Sequence, residues 1–151
     1  MRFRKTTCIV IPARFESTRF PGKPLKKILG KEMILWVLEV SSLSVGRENV
    51  FVATNNNMIK DLVIKNGFKA FMTSNIAPTG TDRIAEIIDK LNYEVIINVQ
   101  GDEPLVDPND ITNCIKNKIN FPDKIINGYT WMTNDEDPKN INIPKVITNH
   151  K

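Results

Sequence analysis

Thr7-Cys-Ile-Val-Ile-Pro-Ala-Arg14 is the stretch that decides how the rest of the chain is read. Thr7–Ile11 is a short apolar run closed by Pro12, the pattern of a buried strand. Beyond it, Pro12, Pro21, Gly22, Pro24 and Gly30 break every helical window over residues 12–31, which therefore reads as a loop. Glu32–Leu43 then carries Met33, Ile34, Val37, Val40 and Leu43 at helical spacing. Val50–Ala53 reads as a second strand. Asn55 or Asn56 can cap a helix that runs to about Asn66 and stops at Gly67. Phe68–Met72 is a third strand and Ser74–Gly80 a loop.

Thr81 or Asp82 is expected to cap a helix that places Ile84, Ile87, Ile88 and Leu91 on one face. Glu94–Val99 reads as a fourth strand. Asp107-Pro108 is an N-cap followed by a first-turn proline and opens a helix to about Lys118. Ile125–Met132 is expected to be a fifth strand, Asn134–Asn140 a polar loop, and Pro144–Thr148 the start of another strand. Strands alternating with helices in this way predict a doubly wound, mostly parallel α/β sheet in one domain, residues 1–151. Such sheets bind ligands beyond the carboxyl ends of their strands, at the switch point. The loops at 12–30, 73–81 and 100–107 all follow strand ends and are expected to converge.

Composition narrows the function. The chain has 151 residues, of which 41% are hydrophobic and 25% charged, enough for one packed domain and too apolar for disorder. No apolar run has membrane-spanning length, and no signal-peptide core follows the basic residues at Met1–Lys5, so a cytoplasmic protein is expected. Two cysteines, Cys8 and Cys114, make no disulfide framework and read as buried thiols. The single histidine, His150, leaves no material for a Ser–His–Asp triad or a His-rich zinc site, so any metal should be a hard cation on carboxylates. The net charge of +4 comes mostly from lysine, which makes 15 of the 21 basic residues. Diffuse lysine with two Trp and two Tyr lacks the interleaved aromatics that stack bases, so no nucleic-acid partner is expected.

The arginines are better placed. Arg14, Arg19 and Lys23 put three fixed cations into the first loop, beside the hydroxyls and backbone donors of Ser17 and Thr18. A triphosphate needs such a concentration of cations and N–H donors, arginine as a bidentate fork and lysine as a point charge. The glycine spacing is that of neither a Walker A loop nor a dinucleotide fingerprint. Asp102 and Glu103 lie just past the fourth strand, where Gly101 permits close backbone approach. A carboxylate there suits Mg²⁺, whose octahedron is completed by waters and phosphate oxygens. Thr79-Gly80-Thr81 offers donors for a base edge or a ribose, and is equally an ordinary capped helix start.

Together, Pro12-Ala-Arg-Phe-Glu-Ser-Thr-Arg-Phe-Pro-Gly-Lys-Pro-Leu25, Met72-Thr-Ser74, Gly80-Thr-Asp-Arg-Ile-Ala-Glu86 and Asn98-Val-Gln-Gly-Asp-Glu-Pro-Leu105 resemble the 3-deoxy-manno-octulosonate (Kdo) cytidylyltransferases. The likeness implies a nucleotide-diphospho-sugar transferase fold and an enzyme that joins CTP to the 2-hydroxyl of Kdo, giving CMP-Kdo and pyrophosphate for lipopolysaccharide or capsule sugars. It implies that Ala13, Arg14, Ser17, Arg19 and Lys23 face the nucleotide, with Arg14 and Lys23 assisting catalysis. It places Ser74, Gly80 and Thr81 near cytosine or ribose, Arg83 nearby, Gln100 beside sugar or nucleotide, and Asp102 on a catalytic Mg²⁺. The likeness also implies a homodimer. The chain departs from the family's pattern at Ala77, where histidine is usual, and at Asn55 and Asn56, where acidic residues are frequent. The family's enzymes are longer, their C-terminal part supplying a second Mg²⁺-binding aspartate. From this the sequence is expected to be a fragment or a naturally short form with weak CTP–Mg²⁺ binding, poor turnover and exposed apolar surface. The alternatives are another sugar nucleotidyltransferase and a non-catalytic nucleotide-binding module.

Overall fold

A computed structural model describes residues 6–16, 20–141 and 143–146. Thr7–Ala13 forms β1, and every residue of it is buried. A short antiparallel hairpin pairs β2 (Lys27–Ile28) with β3 (Lys31–Glu32). Helix α1 (Met33–Val45), strand β4 (Val50–Thr54), helix α2 (Asn57–Lys65) and strand β5 (Lys69–Met72) follow. Helix α3 (Gly80–Ala85), strand β6 (Val95–Asn98) and helix α4 (Pro108–Asn120) complete the regular elements among the described residues.

The main sheet has the order β5-β4-β1-β6, and all of its pairings are parallel. The chain moves outward from β1 through β4 to β5, then crosses back to lay β6 on the other side of β1. That reversal is the switch point of a doubly wound sheet, and it lies between β1 and β6. Strand alternation sorts the core into two layers. Ile9, Ile11, Val50 and Val52 pack with Ile34, Leu38, Ile59, Val63, Ile111 and Ile115 from α1, α2 and α4. Cys8, Val10, Phe51 and Ala53 face the other way, against Ile84, Ile87 and Leu91. Helices thus cover both faces, as a parallel sheet requires.

Local chemistry sets most element ends. Asn56 caps α2 by accepting from the N–H groups of Met58 at 2.9 Å and Ile59 at 3.3 Å. Asp107 caps α4 through the N–H of Asn109 at 2.8 Å. The expected face of α1 is rotated: Leu43 is exposed, whereas Leu35 and Leu38 are buried beside Ile34 and Val37. With apolar residues at nine of its 13 positions, α1 has no single narrow stripe, so the sheet beneath it chose the face. The third helix is shorter than its periodicity predicts. Thr79, and neither Thr81 nor Asp82, is its N-cap, and after Ala85 the chain passes into a 3-10 turn at Ile88–Lys90.

Two expectations fail at the C-terminal end. Ile125–Met132 is irregular and largely exposed, and Pro144–Val146 is coil, while residues 147–148 of the second expected strand lie outside the described residues. A strand forms when a neighbour accepts its ladder, and no described strand pairs with the outer edge of β6. Of the two cysteines expected to be buried, Cys8 is, its thiol pushed up to about 12 by desolvation, whereas Cys114 on α4 is only half-buried, with its thiol also raised by burial. Among the described residues, no helix is long and apolar enough to cross a membrane.

Candidate functional site

At the carboxyl ends of β1 and β6 the three predicted loops meet around one pocket of about 500 Å³. Pro12, Ala13, Arg14, Phe20, Lys23 and Pro24 come from the first loop, Ala77, Pro78, Thr79 and Gly80 from the second, and Gln100, Gly101 and Asp102 from the third. Arg83 of α3 and Met33 of α1 complete the lining. The pocket therefore straddles the switch point, where the diverging loops leave a crevice.

Close backbone approach makes this possible. A Cβ on Gly101 would stand 2.9 Å from the carbonyl oxygen of Pro12, so only glycine lets the loop after β6 lie against the end of β1. A Cβ on Gly80 would meet the Pro12 ring at 3.0 Å. The first loop is closed by Gly22, whose φ of +67° suits glycine and whose N–H donates to the carbonyl of Phe15 at 2.8 Å. This turn starts the 3-10 segment Lys23–Leu25 and aims Lys23 at the rim.

Lys23 Nζ lies 2.7 Å from Asp102 Oδ2, although 79 residues separate them in the chain. Both side chains stay open to solvent, at 40% and 49% exposure, so the pair is worth little as a structural bond and both groups remain free to take other partners. Arg83 behaves differently. It is 4% exposed, donates to Thr73 Oγ1, and donates at 3.2 Å to the carbonyl of Ser74. Desolvation lowers its pKa, as does the nearby charge of Arg14, while Glu86 and Glu16 oppose them. Two guanidiniums brought together at the edge of a crevice form a site for a polyanion. Gln100 donates to Asn98 Oδ1 at 3.0 Å, which orients its amide at the mouth.

Of the residues singled out from the sequence, Ala13, Arg14, Lys23, Gly80, Arg83, Gln100 and Asp102 share this pocket. Ser74 is not in its lining: its N–H donates to Glu86 Oε2 at 2.6 Å, its hydroxyl donates to Glu86 Oε1, and it reaches the pocket through Arg83. Thr81 is exposed on α3 and outside the lining. Ser17 and Arg19 lie outside the described residues. The Thr79 hydroxyl, offered by the sequence as a donor to a ligand, instead donates to Asp82 Oδ2 at 2.6 Å within a capping box. Asn55 donates to Asn75 Oδ1 at 3.1 Å and so ties the β4 end to the second loop.

Sequence reasoning missed Phe20, Pro24, Met33 and Pro78 as walls, and missed Glu86. Apolar wall residues carry no chemical signal, and Glu86 acts through a hydrogen bond twelve residues back. The donor set can be tested against Mg²⁺. Asp102 is the one acidic residue of the lining, and the described residues hold no cluster of three acidic, His or Cys ligands. One carboxylate in an open, cationic crevice fits a metal that arrives on phosphate oxygens and keeps several waters; it does not fit a resident, all-protein cage.

Residues 8–151 match the family model described as cytidylyltransferase. A 3-deoxy-manno-octulosonate cytidylyltransferase of Aliivibrio salmonicida is 41% identical over 143 residues, covering 93% of this chain and 57% of the relative. The enzyme of that name from Leptospira biflexa is 42% identical over 144 residues, covering 94% of this chain and 58% of its own length. Among solved structures, a CMP:2-keto-3-deoxy-manno-octonic acid synthetase complexed with CTP superposes with a TM-score of 0.74 at 41% identity, over 78% of this chain and 48% of that one. The chain thus spans little more than half the length of the curated relatives it matches.

Proposed function

The chain belongs to the cytidylyltransferase family, and on that premise we propose that it acts in cytidylyl transfer from CTP to the 2-hydroxyl of Kdo, releasing pyrophosphate. The observation that carries this reading is the gathering of Arg14, Lys23, Arg83 and Asp102 around one crevice at the switch point. The CTP held by the solved relative supports it.

Transfer puts extra negative charge on the α-phosphate and on the departing pyrophosphate. Cations already fixed in place stabilise that charge more than the charge of the ground state. Arg14 and Lys23 are assigned to the triphosphate, with Ser17 and Arg19 of the same loop, and Arg83 adds a further positive charge to the same crevice. Phosphate would draw Lys23 away from Asp102. Asp102 would then hold Mg²⁺, which when bound neutralises phosphate charge and lowers the pKa of a hydroxyl. Gln100, Gly80 and Ala13 would shape the nucleoside end, with Ser74 and Thr81 at its margin. No lining residue is assigned as a general base. On the family likeness, the proposal extends to a homodimeric, cytoplasmic enzyme whose product serves lipopolysaccharide or capsule sugar synthesis.

Calorimetric titration of CTP with and without Mg²⁺ tests the assignment. Lys23→Ala should weaken CTP binding about tenfold, the loss of one charge-assisted contact, while the melting temperature moves by only a few degrees. Asp102→Asn should abolish the gain from Mg²⁺ and tighten metal-free CTP binding, because Lys23 loses its competitor. Full Mg²⁺ enhancement in Asp102→Asn, or unchanged CTP affinity in Lys23→Ala, would refute these roles. A nucleotide panel in which another triphosphate stabilises the protein more than CTP would refute the cytidine assignment.

A further inference from the structure

We propose that Glu86, which lies outside the pocket, is a positioning residue that fixes the 74–79 segment as one wall of the crevice and so sets nucleotide affinity without touching nucleotide. The inference deepens the nucleotide-site reading above and rests on it.

Ser74 is gripped on all of its polar groups. Its N–H donates to Glu86 Oε2 at 2.6 Å and its hydroxyl donates to Glu86 Oε1, while its carbonyl accepts from Arg83 Nη1 at 3.2 Å. Arg83 also donates to Thr73 Oγ1, and the Thr73 N–H donates to the carbonyl of Thr54 at 2.9 Å, at the end of β4. The chain leaving β5 is thereby pinned at residues 73 and 74. Its far end is pinned by the Thr79–Asp82 capping box. Between the pins stand Ala77 and Pro78, both in the pocket wall.

Glu86 and Arg83 are three residues apart at the C-terminal end of α3, the spacing that puts two helical side chains on one face. Each holds a different side of the same serine. The two Ser74 hydrogen bonds are the leading cause that keeps the Glu86 carboxyl below its ordinary range, so it grips as an anion. Glu86 is also the first of the charges that offset desolvation at buried Arg83, where Arg14 adds a like charge. Removing the carboxylate would return Ser74 to water and leave buried Arg83 with less compensation for its desolvation and for the like charge of Arg14. The segment would then have to be ordered each time a ligand binds.

The test uses the whole 151-residue protein with Glu86→Ala and Glu86→Gln. Two quantities are read: hydrogen exchange of the amides at 74–79, and the dissociation constant for CTP with Mg²⁺. Glu86→Ala should keep its melting temperature within a few degrees, because Glu86 is exposed. It should speed exchange at 74–79 and weaken CTP about tenfold, as for a wall in place roughly one time in ten. Glu86→Gln keeps one acceptor oxygen and should recover part of both. Faster exchange with unchanged CTP affinity overturns the proposal, as does unchanged exchange. So does a loss of CTP affinity that only tracks a fall in melting temperature across both variants, with exchange faster throughout the chain and not at 74–79 in particular. A wild-type protein that binds no CTP would sink the nucleotide reading itself, a result separate from any seen in the variants.

Discussion

Residues 7–120 and residues 121–146 respond differently to similar side chains. The first region buries Ile, Val and Leu on both faces of a parallel sheet. The second holds Ile125, Tyr129, Trp131 and Ile141, strand-prone or apolar by type, and leaves all of them exposed. What holds it is local: Lys118 Nζ donates to the carbonyls of Pro122 at 2.6 Å and Lys124 at 2.8 Å, and Tyr129 meets Trp131 edge-on at 6.1 Å. Propensity is therefore not the difference. β1 has ladder partners on both sides, and Ile125–Met132 has none among the described residues. An apolar residue contributes to stability when a neighbouring element removes it from water, at about 25 cal/mol per Å².

Substitutions in the two regions measure how far burial separates them. The largest effect is expected for Ile9→Ala, in the central strand, which should lower unfolding free energy by about 2–5 kcal/mol in urea titration. A loss below about 1 kcal/mol would mean that the two regions are less distinct than they look. A smaller effect, of opposite sign, is expected at the β2–β3 hairpin. Leu29 has φ +50° and is 92% exposed, beside Gly30 at φ +83°. Two positive φ values in a two-residue turn favour Asn-Gly, and a branched side chain there is strained without burying anything. Leu29→Asn should raise stability by roughly 0.5–1 kcal/mol, and a loss instead would show that Leu29 packs against something. The smallest effect belongs to the second region: Trp131→Ser, at 84% exposure, should change stability by less than about 0.5 kcal/mol. A cost comparable to that of Ile9→Ala would erase the contrast.

The candidate site was more legible than its supports. Arg14, Lys23 and Asp102 stand out in sequence because loops of fixed charge following apolar runs have few structural uses, and the convergence of their loops followed from the α/β alternation. The reach of Lys23 to Asp102, across 79 residues, was not legible, since it depends on β1 and β6 being neighbours. Thr79 stayed open between ligand and cap because a hydroxyl beside a helix start serves either, and the geometry decides for the cap. Ser74 and Arg83 were read as nucleotide neighbours; Arg83 lines the pocket, while Ser74 stands behind it in the grip of Glu86.

By itself, the amino-acid order determined the alternation of main-sheet strands and helices through α4, a cap at Asn55 or Asn56 and one at Asp107, the burial of β1 and the identity of the charged loops, but not the β2–β3 hairpin inside the stretch read as loop. All of these follow from interactions within a few residues, or from hydrophobic patterning along a single element. The tertiary structure alone decided which face of α1 turns inward, that α3 ends at Ala85, that 125–132 stays irregular, and that Glu86 holds Ser74. Each of these is settled by a partner distant in the chain, or by the absence of one among the described residues. Burial and hydrogen-bond satisfaction are properties of the surroundings, which the linear order specifies only through the completed fold.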